Sequence, residues 1–166
     1  MSFIASLPMH PLLVHIPVVL VPLAVIGALL ILVHPAWMKP YGFIVVALAG
    51  AGFLGAVLAA STGEDLQETL ERSGQTISAT LRDHVEMGDG VQAFAGVFFL
   101  VTLAWVGFAW WRRRVGEEKA TATVKKPQLL SILLSVLVVL GGVAATWSVT
   151  AAGHSGATSV WEKTRP

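Results

Sequence analysis

The chain has 166 residues, of which 55% are hydrophobic and only 13% charged, with mean hydropathy +0.73. Ordinary soluble domains carry about 25% charged residues, and this chain has too little volume to hide four long apolar helices in a soluble core. There is no cysteine, which excludes disulfides, thiolate-held iron–sulfur clusters and haem attached through CxxCH. The net charge of +1 gives no footprint for nucleic acid.

Charge is absent from Met1 to Met38, from Pro40 to Gly63, from Gly90 to Trp111 and from Pro127 to Trp161. Four such runs predict an all-α, polytopic membrane protein, a single four-helix transmembrane domain with spans at about 11–33, 41–60, 90–111 and 128–152. No basic residue precedes Lys39, so the first run is expected to be retained as a helix rather than cleaved as a signal peptide.

The first span opens on Met9-His10-Pro11-Leu12-Leu13-Val14-His15-Ile16-Pro17. Pro11 suits a first helical turn, whereas Pro17 and Pro22 each delete a backbone hydrogen bond, so an irregular end is expected. Imidazoles in an apolar segment need partners. A tight turn, His34 to Pro40, leads to the second span, with Trp37 and Tyr41 as interfacial anchors. In that span Ala47, Ala51 and Gly55 recur every four residues, a stripe suited to close helix packing, to a homodimer contact or to making room for a flat cofactor.

Residues 61–89 read as the longest polar loop, with a short surface helix from Asp65 to Arg72 broken at Ser73-Gly74 and a second helical pattern from about Thr76 or Ile77 running into the third span. His84 lies just before the third apolar run, which closes on Trp105, Trp110 and Trp111 followed by Arg112-Arg113-Arg114. Residues 112–127 read as a flexible loop, and the fourth span ends in a short glycine-bounded tail, Gly153 to Trp161.

Seven Lys and Arg fall in the loops after spans one and three, and four on the other side. The positive-inside rule then places both termini outside the cytoplasm. His10, His15, His84 and His154 all fall near that outer face, and only His34 does not. Helices in a bundle lie about 8–10 Å apart, so imidazoles at similar depth can converge.

The motif His10-Pro11-x-x-Val14-His15-x-Pro17, His84 before the third span, and Gly153-His154-Ser155-Gly156 resemble the bacterial membrane family called domain of unknown function 2231. Some relatives have Gly-His-x-Gly-Gly where this chain has Ala157 after Gly156. The resemblance implies four spans in a bacterial cytoplasmic membrane and one histidine-rich face. It brings no established activity, although an association with redox proteins implies a haem or electron-transfer role, with membrane or periplasmic redox partners.

Three readings of the histidine face follow. In the first, haem b is bound for electron transfer, with His15 and His84 as axial pair, His10 and His154 as alternatives, and Gly88 one turn after His84 admitting the flat ring. In the second, His10, His15, His84 and His154 hold a Zn, Cu or Fe ion, with Glu64, Asp83 or Glu86 orienting the ligands. In the third, the protein is a non-enzymatic accessory or scaffold subunit. No HEXXH motif and no activated nucleophile is present, so a stand-alone enzyme has little support.

Overall fold

The computed structural model describes residues 9–161, with side chains through 158, and among them there are only helices and turns. Helix α1 is Met9–Leu13 and α2 is His15–Val33. They are separated at Val14, which keeps a helical conformation, φ −61° and ψ −24°. The break lies where the missing N–H of Pro17 leaves the carbonyl of Leu13 without its usual partner, so the expected irregularity is confined to one turn. Together α1 and α2 make the first helix long and apolar enough to cross a membrane.

A 3-10 turn, Pro35–Trp37, passes directly into α3, Met38–Arg72. At 1.5 Å per residue a 35-residue helix is about 52 Å long, well beyond the ~30 Å hydrocarbon layer. The short surface helix expected at 65–72 is therefore the end of α3 itself, and the helical pattern expected from residue 76 or 77 into the third span begins at Ala79. The polarity after Ser61 marks the exit from the bilayer, not the end of the helix. Thr62 and Thr69 return their hydroxyls to the carbonyls of Leu58 and Asp65, and Glu68 pairs with Arg72 one turn on. The stop comes at Gly74, whose φ of +78° closes a cap in which the Gln75 N–H donates to the Leu70 carbonyl at 3.1 Å.

Helix α4 is Ala79–Val115, capped by Ser78, whose side chain accepts from the Leu81 N–H. It ends at Gly116, φ +81°. The segment expected to be flexible contains α5, Glu117–Thr123. Arg112 holds it: one guanidinium donates to Ser131 Oγ at 2.8 Å and pairs with Glu117, tying α4 and α5 to the start of α6. Helix α6, Pro127–Trp161, runs through the stretch expected to be a tail. Gly153 and Gly156 cost a helix about 1 kcal/mol each relative to Ala, less than packing against α4 returns.

The four long helices stand in a ring, each of α2, α3, α4 and α6 packed on two neighbours. The core is built from small residues meeting large ones. Phe98 is fully buried, and Val21 lies where a side chain on Gly52 would reach. The buried face of α3 carries Ala49, Gly52, Ala56 and Ala59. Ala47 and Ala51 point outward, so the small-residue stripe read from the sequence is rotated off the true interface, which Gly55 alone of the three joins. Trp105, which its place beside Trp110, Trp111 and the arginines would assign to an aromatic belt at the membrane surface, is part of the core. Outward-facing Ile26, Leu54, Leu100 and Leu140 present an apolar surface suited to lipid.

Thr102 is fully buried and its hydroxyl has no partner among the described residues. An unpaired buried hydroxyl costs about 1–3 kcal/mol. Thr102→Val is therefore expected to raise stability by about 1 kcal/mol, measured by thermal unfolding in detergent. A loss of stability would mean that the hydroxyl is satisfied.

Candidate functional site

His10 sits on the single turn of α1, which the Val14 break aims across the start of α2 toward α3. Its Nδ1 donates to the Ala59 carbonyl at 2.7 Å. A protonated Nδ1 fixes the tautomer and leaves Nε2 with a lone pair. Gly63, one turn beyond Ala59, lets the ring lie flat on α3: a Cβ there would stand 3.1 Å from the imidazole.

His84 lies on the second turn of α4 and faces His10. The ring centroids are 5.9 Å apart and the planes are inclined at 77°. The Ala152 backbone of α6 borders the ring. Nδ1 of His84 is buried and has no hydrogen-bond partner among the described residues. A side chain on Gly156 would bring a Cβ within 2.9 Å of His84 Cε1, so this glycine, like Gly63, is a place where an imidazole meets bare backbone.

The pair lines a largely apolar cavity of about 350 Å³, whose walls include Pro17, Ala56, Ala60, Val91 and Val149. Leu66, Gln67 and Leu70, from the stretch expected to be a surface helix, close one side. Gly88 lines the cavity, but a Cβ there would make only ordinary contact with Ala60 at 3.4 Å, so its bareness adds about one methyl of space.

The expected four-histidine cluster is thus reduced to two. His15 and His154 are exposed and do not line the cavity, so His84 meets His10 and not His15. The reason is angular. Five residues at about 100° each turn His15 roughly 140° away from His10 around a nearly continuous helix. Glu64, Asp83 and Glu86 are exposed and also lie off the cavity. Among the described residues no three of His, Cys, Asp or Glu converge in a way that could hold a metal ion. The features not read from the sequence are Gly63, the Ala59 carbonyl and Gly156. For the last a signal existed, since Gly156 lies two residues from His154 in the same motif.

A family model described as "Predicted membrane protein (DUF2231)" matches residues 6–164, nearly the whole chain. The chain belongs to the DUF2231 family. Its all-helical fold, with four helices long and apolar enough to span a membrane, agrees with that description. No curated protein and no solved structure matches this DUF2231 chain.

Proposed function

We propose that this DUF2231 protein binds haem b at the His10–His84 pair and serves as an electron-transfer protein at one face of a bacterial cytoplasmic membrane. The observation that carries the reading is the pair itself. The two imidazoles lie 5.9 Å apart between ring centroids, close enough that both would hold one haem if it were bound. The Nδ1 of His10 donates to the Ala59 carbonyl, the bond that orients a metal-ligating imidazole, and its Nε2 has no hydrogen bond among the described residues. A bare structural ion asks for about four protein ligands, whereas haem iron takes its equatorial ligands from the macrocycle and asks the protein for one or two imidazoles. The pair lines a largely apolar cavity of about 350 Å³, which would take part of a flat apolar ring and leave the rest of it outside the cavity.

When bound, haem supplies one-electron redox chemistry. The protein's part is to hold the two rings and exclude water. The Ala59 carbonyl orients His10, Gly63 and Gly156 admit the imidazoles, and the apolar wall lowers the local dielectric, one of the levers on haem potential.

The distribution of Lys and Arg supports placing both termini, and with them His10 and His84, on the extracytoplasmic side. Redox partners would then be membrane or periplasmic proteins. A reporter fused after Pro166 is expected to read as extracytoplasmic, and a cytoplasmic signal would overturn this orientation.

The reading is tested by a reduced-minus-oxidised absorption spectrum of protein purified from its native host, with metal analysis of the same sample. A Soret band with stoichiometric iron is expected. Stoichiometric zinc or copper with no chromophore would replace haem by an ion site, and neither would leave an accessory or scaffold role.

A further inference from the structure

At the end of the bundle opposite His10 and His84, Lys39, Arg113 and Arg114 surround a crevice between the start of α3 and the end of α4. The two ends are far apart: the 29 residues from His84 to Arg113 along α4 span roughly 44 Å. The crevice, of about 380 Å³, has Phe43, Val106 and Trp110 as apolar walls. Phe43 and Trp110 are both substantially exposed, so the walls continue onto the lipid-facing surface.

Two of the cations are held in place without being neutralised. Arg114 lies over the Trp110 ring, 4.0 Å from its centroid, and Arg113 donates to the Pro35 carbonyl at 3.5 Å. The neighbouring carboxylate, Glu117, is taken by Arg112. Among the described residues neither Lys39, Arg113 nor Arg114 has an acidic partner. Membrane topology asks only that cations lie at this end. It does not ask that three of them from two helices converge above an aromatic-walled slot.

We infer that this crevice is a binding site for an anionic phospholipid, whose phosphate sits among Lys39, Arg113 and Arg114 and whose acyl chain runs down over Val106 and Phe43. Charge complementarity selects the headgroup, and the continuity of the slot with the lipid-facing surface selects a lipid over a soluble anion. Basic pockets between membrane helices bind acidic headgroups in this way, each Lys or Arg contributing about fivefold in binding.

The test places the full chain in nanodiscs of phosphatidylcholine and phosphatidylglycerol in equal amounts, releases it in mild detergent, and counts retained lipids by native mass spectrometry. Wild type is expected to retain phosphatidylglycerol over phosphatidylcholine by about tenfold or more. The variant carrying Lys39→Gln, Arg113→Gln and Arg114→Gln is expected to lose that preference. A variant carrying Lys119→Gln, Lys125→Gln and Lys126→Gln removes the same charge from the same end and is expected to keep it. No preference in wild type, or an equal loss in both variants, would overturn the site. Displacement of phosphatidylglycerol by excess inorganic phosphate would assign the crevice to a free anion and overturn it too. Should the first variant fail to fold, Arg113→Gln alone is expected to lower the preference about fivefold, and no change would count against the proposal.

Discussion

His10→Ala and His84→Ala are each expected to abolish the two-imidazole haem spectrum, whereas His15→Ala and His154→Ala are expected to leave it unchanged. The difference rests on where the packed helices place each ring. His10 and His84 line the same cavity with their rings 5.9 Å apart, while His15 and His154 are exposed. On the proposed haem binding, losing either ring would leave one protein ligand, which would shift the bands or empty the site. Free imidazole added to His84→Ala should restore the bands, since truncation leaves room for it against Gly156. The expected drop in haem occupancy is at least tenfold, on the scale of about 10–100-fold seen when even the outer partners of metal ligands are removed. Loss of the spectrum in His15→Ala with retention in His10→Ala would refute the assignment.

Gly55→Val is expected to destabilise the bundle by about 1–3 kcal/mol and to lower haem occupancy with it. Gly55 is buried on α3, facing the first turn of α2. An added Cβ would stand 2.7 Å from Ile16 Cβ and 3.1 Å from Pro17 Cδ. Neither neighbour is the end of a flexible chain. Ile16 is β-branched and Pro17 is a ring fixed to the backbone, so the helix itself must move. The displaced segment is continuous with α1, which carries His10 to the Ala59 carbonyl. The small gain in helix propensity from Gly to Val, a few tenths of a kcal/mol, does not offset this. Gly107→Val supplies the control, since nothing lies within 4 Å of a Cβ there. Thermal unfolding in detergent should separate the two variants, and equal melting would refute the argument.

The bundle was legible because it depends on a quantity the sequence carries directly. A residue charged or uncharged is the same in any fold, and four charge-free runs leave few alternatives to four spans. Helix ends were less legible. Asp65 to Arg72 reads as a separate surface helix because the polarity after Ser61 looks like a break, yet a helix leaving the bilayer stays continuous while its hydroxyls and ion pairs have local partners. The Ala47–Ala51–Gly55 stripe has the period of an interface but not its position. Period is local, whereas phase is set by Val21 and Ile16 on the neighbouring helix.

The same division runs through the candidate site. By itself the sequence determined that four of the five histidines gather toward one end of a membrane bundle, because the alternating direction of successive spans fixes which ends lie together. It also held the angle between His10 and His15, obscured only by the expectation that the prolines would disrupt the helix more than they do. Only the tertiary structure decided that His10 meets His84, that the Ala59 carbonyl sets the tautomer, and that Gly63 and Gly156 leave room for the rings. Those contacts join residues 49 to 74 positions apart. Their geometry depends on the rotation of each helix about its own axis, which no single helix specifies and packing against its neighbours does.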